Sequence, residues 1–282
     1  MLTKSILYVV ATPIGNLNDI SLRALDILGG VDVIAAEHVQ TSKHLLKTHA
    51  INTKLMTLHQ HNEAVVAEKI LTLLASERNV ALVTDAGTPG ISDPGAILVD
   101  RVREQGYQVI PVPGANAAVC AMSAAGITNP HFLFYGFLPT KSGLRKRELE
   151  ALKSQNCTLI FYEAPHRILD CVADLITVFG EQRQLTIARE LTKLFETIYT
   201  ASLAEALRWL QDDSNQQKGE FVLLLSGAEI QHKSEISDQA QHTLKCLMAD
   251  LPLKQAVKLA TEITRENKNQ LYKLALSMKT EK

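Results

Sequence analysis

An apolar, β-branched run, Asn79–Thr84, breaks into T-D-A-G-T-P-G-I-S-D-P-G over Thr84–Gly95. No other stretch constrains the chain as strongly. The apolar part has the length of a buried strand. Gly87, Gly90 and Gly95, with Pro89 and Pro94, then let the backbone turn sharply and pass close to a ligand. Open α/β sheets place their sites in such loops, at the carboxyl ends of parallel strands. The plainer alternative is a strand-to-helix turn, with Asp93 capping a helix that begins near Pro94.

The surrounding pattern favours the ligand loop. Ile6–Ala11 and Val31–Ala36 read as strands, the first running into T-P-I-G-N-L (12–17) and the second into Glu37. Ser21 or Asp19 caps a helix through Leu28. A short helix at Thr41–His49, a weak strand at Leu55–Leu58 and an amphipathic helix capped by Asn62 follow. Tyr107–Val112 leads into V-P-G-A-N-A (112–117) and an alanine-rich helix. Repeated βα units predict a mostly parallel α/β sheet with three unusual loops at strand carboxyl ends, as a cofactor cleft requires. Phe132–Leu138, Cys157–Glu163, Gln184–Arg189, the alternating Leu194–Thr200 and Phe221–Ser226 predict a second, mixed sheet. Glu229–Gln241 reads as a polar linker. Leu251–Ile263 and Asn269–Met278 read as a helix pair, either a helix-turn-helix or a packing appendage.

A net charge of -1 over 282 residues gives no global field toward nucleic acid or anionic membrane, so RNA contacts must be local. No stretch approaches the roughly 20 apolar residues of a membrane span. Met1–Ser5 does not read as a leader, and the cytoplasm is expected. The four scattered cysteines form no metal or disulfide framework. There is no G-x-G-x-x-G and no G-x-x-x-x-G-K-[ST], which argues against a dinucleotide-binding Rossmann domain and a P-loop NTPase.

Seven motifs occur in order: T-P-I-G-N-L, D-A-G-T-P-G-I-S-D-P-G (85–95), V-P-G-A-N-A, G-F-L-P (136–139), F-Y-E-A-P-H-R (161–167), A-R-E-L-T-K (188–193) and K-G-E (218–220). Together they resemble the tetrapyrrole-methylase-like (class III) methyltransferases, and within these the branch that methylates a cytidine 2′-oxygen in small-subunit ribosomal RNA. The resemblance covers about residues 6–227. It implies two α/β domains, 1–116 and 117–228, with S-adenosylmethionine (SAM) in the cleft between them, a helical appendage at 242–282, and a homodimer acting on small-subunit rRNA or the assembled 30S-type subunit. One segment departs: where the branch usually reads A-E-D-T-R, this chain has Ala36-Glu37-His38-Val39-Gln40. A tetrapyrrole methylase of the same fold, or a non-catalytic RNA-binding homologue, are the rival readings.

SAM needs backbone donors and acceptors, small residues for close approach and a carboxylate. Pro13, Gly87, Thr88, Asp93, Ala117, Tyr162, Ala164 and Gly219 occupy loop positions that supply these, and Asp85 either touches cofactor or ties its own loop. A ribose hydroxyl is a poor nucleophile until a base shares its proton. The candidates are Glu37, Glu163, Glu190 and Lys193, the lysine only if its pKa is lowered. Glu163 instead pairs with Arg167 or Arg189 in the structural alternative. Lys141, Arg145, Lys146 and Arg147 form the one dense basic run and are the expected phosphate contacts. His59-x-His61 would face one way on a strand, with zinc or RNA as the ligand. Trp209 belongs to an apolar helical stripe.

Overall fold

The computed structural model describes residues 5–228 and 236–280. Two compact units result, 1–228 and 229–282. Residues 1–4 of the N-terminal reading and 229–235 of the expected linker lie outside the described residues.

The first sheet is built from β1 (Ile6–Val10), β2 (Val33–Ala36), β3 (Lys54–Thr57), β4 (Val80–Val83) and β5 (Gln108–Val112), all parallel in the order β3-β2-β4-β1-β5. Helices α1 (Leu22–Gly30), α2 (Val39–Thr48), α3 (Glu63–Ala75) and α4 (Ala96–Glu104) link these strands. β2 and β4 are buried along their whole length because helices cover both faces, which explains their unbroken apolar runs. Every strand therefore ends at the same edge, and the loops of that edge share one crevice.

After α5 (Ala117–Ala124), the second sheet uses β6 (Phe132–Phe137), β7 (Thr158–Glu163), β8 (Gln184–Arg189), β9 (Thr197–Ser202) and β10 (Phe221–Leu225), in the order β6-β7-β10-β8-β9. It is mixed: β6 and β7 are parallel, whereas β10 runs antiparallel to both β7 and β8. The alternation at 194–200 resolves as β9, an edge strand antiparallel to β8. α6 (Ser142–Leu152), α7 (Ile168–Phe179) and α8 (Leu203–Asp212) complete this half. Ser202 and Glu205 cap α8 reciprocally. Trp209 is partly buried and stacks on Tyr199, with ring centroids 4.6 Å apart.

The second unit contains three helices, α9 (Asp238–Asp250), α10 (Leu253–Thr264) and α11 (Lys268–Thr280). The linker expected over 229–241 therefore ends early, because Ser237 caps α9 through the Ala240 N–H. Ala240, Leu244, Val257, Ala260, Leu271 and Ala275 form its core. Small residues at two of the three buried α10 positions, Ala256 and Ala260, let the helices approach closely.

Two local expectations are corrected. Asn62 begins α3 by position but does not cap it through its side chain; its Oδ1 instead accepts the His59 N–H at 2.8 Å. β3 ends at Thr57, so His59 and His61 sit in a turn with their rings edge-on, and the same-face strand geometry does not hold.

Candidate functional site

The loop after β4 owes its shape to a residue far away in the chain. Glu63, 5% exposed at the start of α3, accepts the N–H groups of Gly95 and Leu98, both at 3.0 Å. It thereby caps α4, which begins at Ala96 with Gly95 at φ 134°. Asp93 is relieved of the capping role and faces the crevice. Thr12 and Gly87 exchange backbone hydrogen bonds of 2.9 and 3.0 Å, stitching the β1 loop to the β4 loop. Gly87 has φ 81°, a conformation that an L side chain would strain.

Across the crevice, charge is neutralised inside the wall. Glu163 pairs with Arg167 Nε at 3.0 Å and accepts the Ala164 N–H at 2.8 Å, its side chain wholly buried. Arg167 Nη2 also donates to Leu138 O at 2.6 Å, fastening G-F-L-P to F-Y-E-A-P-H-R. Lys193 Nζ bridges Glu190 Oε1 at 2.9 Å and Glu220 Oε2 at 2.7 Å. Burial alone would lower the Lys193 pKa, but the hydrogen bonds it donates to both carboxylates raise it overall. Burial likewise pushes Glu190 up, yet Lys193 and the Glu220 N–H hold it below the usual range. Lys193 therefore stays protonated here, and its expected use as a base is not supported.

Between these walls lies a cavity of about 320 Å³. Gly87, Thr88, Asp93, Ala117, Tyr162 and Ala164 line it, six of the nine positions expected for a cofactor. Glu163 reaches its wall but is held by Arg167. Ile14, Phe137, Leu191 and Val222 supply apolar surface that sequence reasoning did not assign, although the first three fall inside the quoted motifs. The Tyr162 hydroxyl accepts the Ala118 N–H at 3.1 Å, fixing the ring against α5. Burial raises the Asp93 pKa to about 6, and the Glu37 and Asp85 charges add to the effect against an opposing Thr84 hydrogen bond. Among the described residues the cavity thus offers one desolvated carboxyl without a cation partner, Asp93, among apolar walls and backbone edges, suited to a cationic ligand with an apolar body.

The remaining expected residues fall outside this lining. Pro13 is buried beside Ile14. Gly219, at φ 96°, sits where a Cβ would collide with the Glu190 side chain. Asp85 binds His38 through both its oxygens, and Glu37 stands beside this pair. The basic run needs a correction. Arg145 is 2% exposed and pairs with Asp174 of α7 at 2.7 Å, while its Nη1 donates to the Pro139 and Thr140 carbonyls. It pins α6 to α7 and is unavailable to phosphate. Lys146 is 3.7 Å from the same carboxylate, and Lys141 and Arg147 are exposed.

Residues 6–207 match the family described as Tetrapyrrole (Corrin/Porphyrin) Methylases, and residues 234–279 match the RsmI C-terminal HTH domain. The chain is 49% identical over 270 residues to ribosomal RNA small subunit methyltransferase I of Escherichia coli O157:H7, covering 96% of this chain and 94% of that protein. It is 48% identical over 271 residues to the protein of the same name from Pseudomonas aeruginosa, covering 96% of each. Among solved structures, it resembles the methyltransferase CobJ with a TM-score of 0.59, 18% identity, and coverage of 79% of this chain and 94% of that one. A uroporphyrin-III-C-methyltransferase from Thermus thermophilus gives 0.57, 19%, 79% and 94%. At these identities the structural likeness speaks for the fold alone. Among the described residues, no helix is long and apolar enough to cross a membrane.

Proposed function

The chain belongs to the tetrapyrrole methylase family, and on that premise we propose that it transfers a methyl group from SAM to the ribose 2′-oxygen of a cytidine in small-subunit ribosomal RNA. The observation that carries this reading is identity of 46–49% to relatives named for that RNA, sustained over 96% of the chain. The match runs through the C-terminal helices, for which a small-molecule methylase has no need. Tetrapyrrole enzymes share the fold but only at low identity, and they cover 79% of this chain. The reaction would take place in the cytoplasm, where ribosomal subunits are assembled.

The residues present fit the donor. SAM supplies an electrophilic methyl on a sulfonium. The Asp93 carboxylate complements a cation, the turn at 86–88 brings backbone polar groups close, and Ile14, Phe137 and Val222 exclude water. Catalysis by positioning needs a rigid cradle. The Glu63 cap, the Thr12–Gly87 bridge and the Arg167 clamp provide it. Leu194 and Phe195, 90% and 67% exposed on the β8–β9 loop, are surface that a second copy of the chain would cover.

Transfer of labelled methyl from SAM to isolated small subunits, followed by digestion to nucleosides, tests the reading. Label in 2′-O-methylcytidine is the expected result. Label on a base, or on a tetrapyrrole and not on RNA, would replace the acceptor.

A further inference from the structure

We propose that His38 and Asp85 form a catalytic dyad in which the His38 imidazole takes the proton of the acceptor hydroxyl. This rests on the 2′-oxygen reading above. It starts from register. β2 and β4 are parallel with Ala36 opposite Val83, so the positions two residues beyond, His38 and Asp85, meet at the carboxyl edge. They meet twice: Asp85 Oδ1 accepts the His38 backbone N–H at 3.2 Å, and Asp85 Oδ2 lies 2.6 Å from His38 Nδ1.

The second contact sets the tautomer. An ionised carboxylate only accepts, so Nδ1 carries a proton in this contact, and in the neutral ring the lone pair is on Nε2. Among the described residues Nε2 has no hydrogen-bond partner, and the side chain is 67% exposed. Base, orienting carboxylate and open acceptor atom are the parts that activate a hydroxyl in hydrolytic triads. The Glu37 carboxylate lies within 4.8 Å of this pair. The neighbours of Asp85, Ala86 and Gly87, line the donor cavity, and Asp93 in the cavity wall feels the charges of both Glu37 and Asp85. His38 itself does not line the cavity; it is hydrogen-bonded to Asp85 of the loop that does, and its ring is exposed to an incoming ribose.

Three of the four candidate bases are committed elsewhere. Glu163 is locked to Arg167, Glu190 is tied to Lys193 and the Glu220 N–H, and Lys193 is held by two carboxylates; Glu37 stands beside the dyad. In the proposed step the ribose 2′-oxygen bonds to the methyl carbon as the sulfur–methyl bond breaks, the bonding pair staying on sulfur. The hydroxyl proton passes to His38 Nε2 and then to water. Asp85 is a positioning residue, acting through the ring. The departure from the branch pattern at position 38 is, on this view, a working part of this chain's chemistry.

The experiment measures single-turnover methyl transfer to small subunits at saturating SAM, with SAM affinity by calorimetry and the product nucleoside identified. His38→Ala is expected to lower the rate by about 10²-fold or more with SAM affinity unchanged, and added imidazole is expected to restore part of it. Asp85→Asn is expected to lower the rate less, since it leaves the ring but spoils its tautomer. A His38→Ala rate within threefold of wild type overturns the dyad. So does a rate loss that imidazole leaves untouched, or one matched by an equal loss of SAM affinity. If wild type labels a base and no 2′-oxygen, the acceptor reading itself has failed. If it labels the 2′-oxygen and His38→Ala is fully active, only the dyad has.

Discussion

The loops of the parallel sheet and those of the mixed sheet face one cavity but treat charge in opposite ways. On the parallel side Glu37, Asp85 and Asp93 gather with no lysine or arginine bonded to them among the described residues, and Asp93 is held at a pKa of about 6. On the mixed side four carboxylates have cations: Glu163 with Arg167, Glu190 and Glu220 with Lys193, and Asp174 with Arg145. Paired charges give rigid geometry and little chemistry, whereas unpaired ones remain available to a cationic ligand or a proton. One half builds the wall, and the proposed chemistry draws on the other.

Breaking the wall is expected to have the largest effect. In Arg145→Ala, Asp174 is left buried, with the Ser142 hydroxyl and the distant Lys146 as its remaining partners. Removing one member of a buried pair costs about 3–5 kcal/mol. For a unit of this size that is a fall on the order of 10 °C in Tm. Arg145→Met with Asp174→Leu should recover most of the loss, because two apolar side chains leave no charge stranded. Calorimetric melts of the three proteins check this. A single variant melting within a degree or two of wild type would mean that the pair is not structural.

Gly219→Ala strains the wall more gently. An alanine at φ 96° costs about 1–2 kcal/mol, and its Cβ would push Glu190 off Lys193 and the Glu220 N–H. Denaturant midpoints should fall accordingly. The Lys193 ammonium would then lean on Glu220 alone.

Asp93→Asn probes the reactive side and should separate stability from binding. The folded protein raises this carboxyl from 3.8 to about 6, so the ionised form is disfavoured by the fold. The cost is fully present above about pH 6 and disappears below about pH 4. The asparagine variant should therefore melt higher than wild type at pH 7.5 and no higher at pH 4. SAM affinity should move the other way, falling about tenfold at pH 7.5 as a charge-assisted contact is lost. Wild-type affinity should itself weaken as pH drops through 6, and the variant should lack that dependence. Equal SAM affinity in the two proteins across this range would remove Asp93 from the donor site.

Much of this contrast could be read from the chain before any coordinates. Buried parallel strands announce themselves as unbroken apolar runs, and β9 announces itself by alternation. The glycine and proline loops marked the cavity's edge, and the resemblance gathered them into one site. What stayed hidden depends on pairing between distant positions. Glu63 caps a helix that begins 33 residues later, and nothing local says so. His38 meets Asp85 only because β2 and β4 are adjacent and in a particular register. Arg145 did carry a signal: Arg145, Leu149 and Leu152 follow i, i+4, i+7 spacing, so the arginine lies on the inward face of α6. Counting basic residues concealed that phase.

That phase also defines the smallest prediction. With Arg145 removed from the basic run and Lys146 close to Asp174, Lys141 and Arg147 are the two cations left to meet phosphate. Each contact to single-stranded RNA contributes roughly 0.7 to the slope of log affinity against log salt. Lys141→Gln with Arg147→Gln should lower that slope by about 1–2 and weaken binding to small subunits several-fold at physiological salt. Tm and SAM affinity should stay where they are, because neither side chain belongs to the wall or the cavity. An unchanged slope would mean that RNA does not cross the N-terminal turn of α6. The positive charge it needs would then have to come from elsewhere, and Lys254, Lys258 and Lys273, all exposed on α10 and α11, are the next to replace.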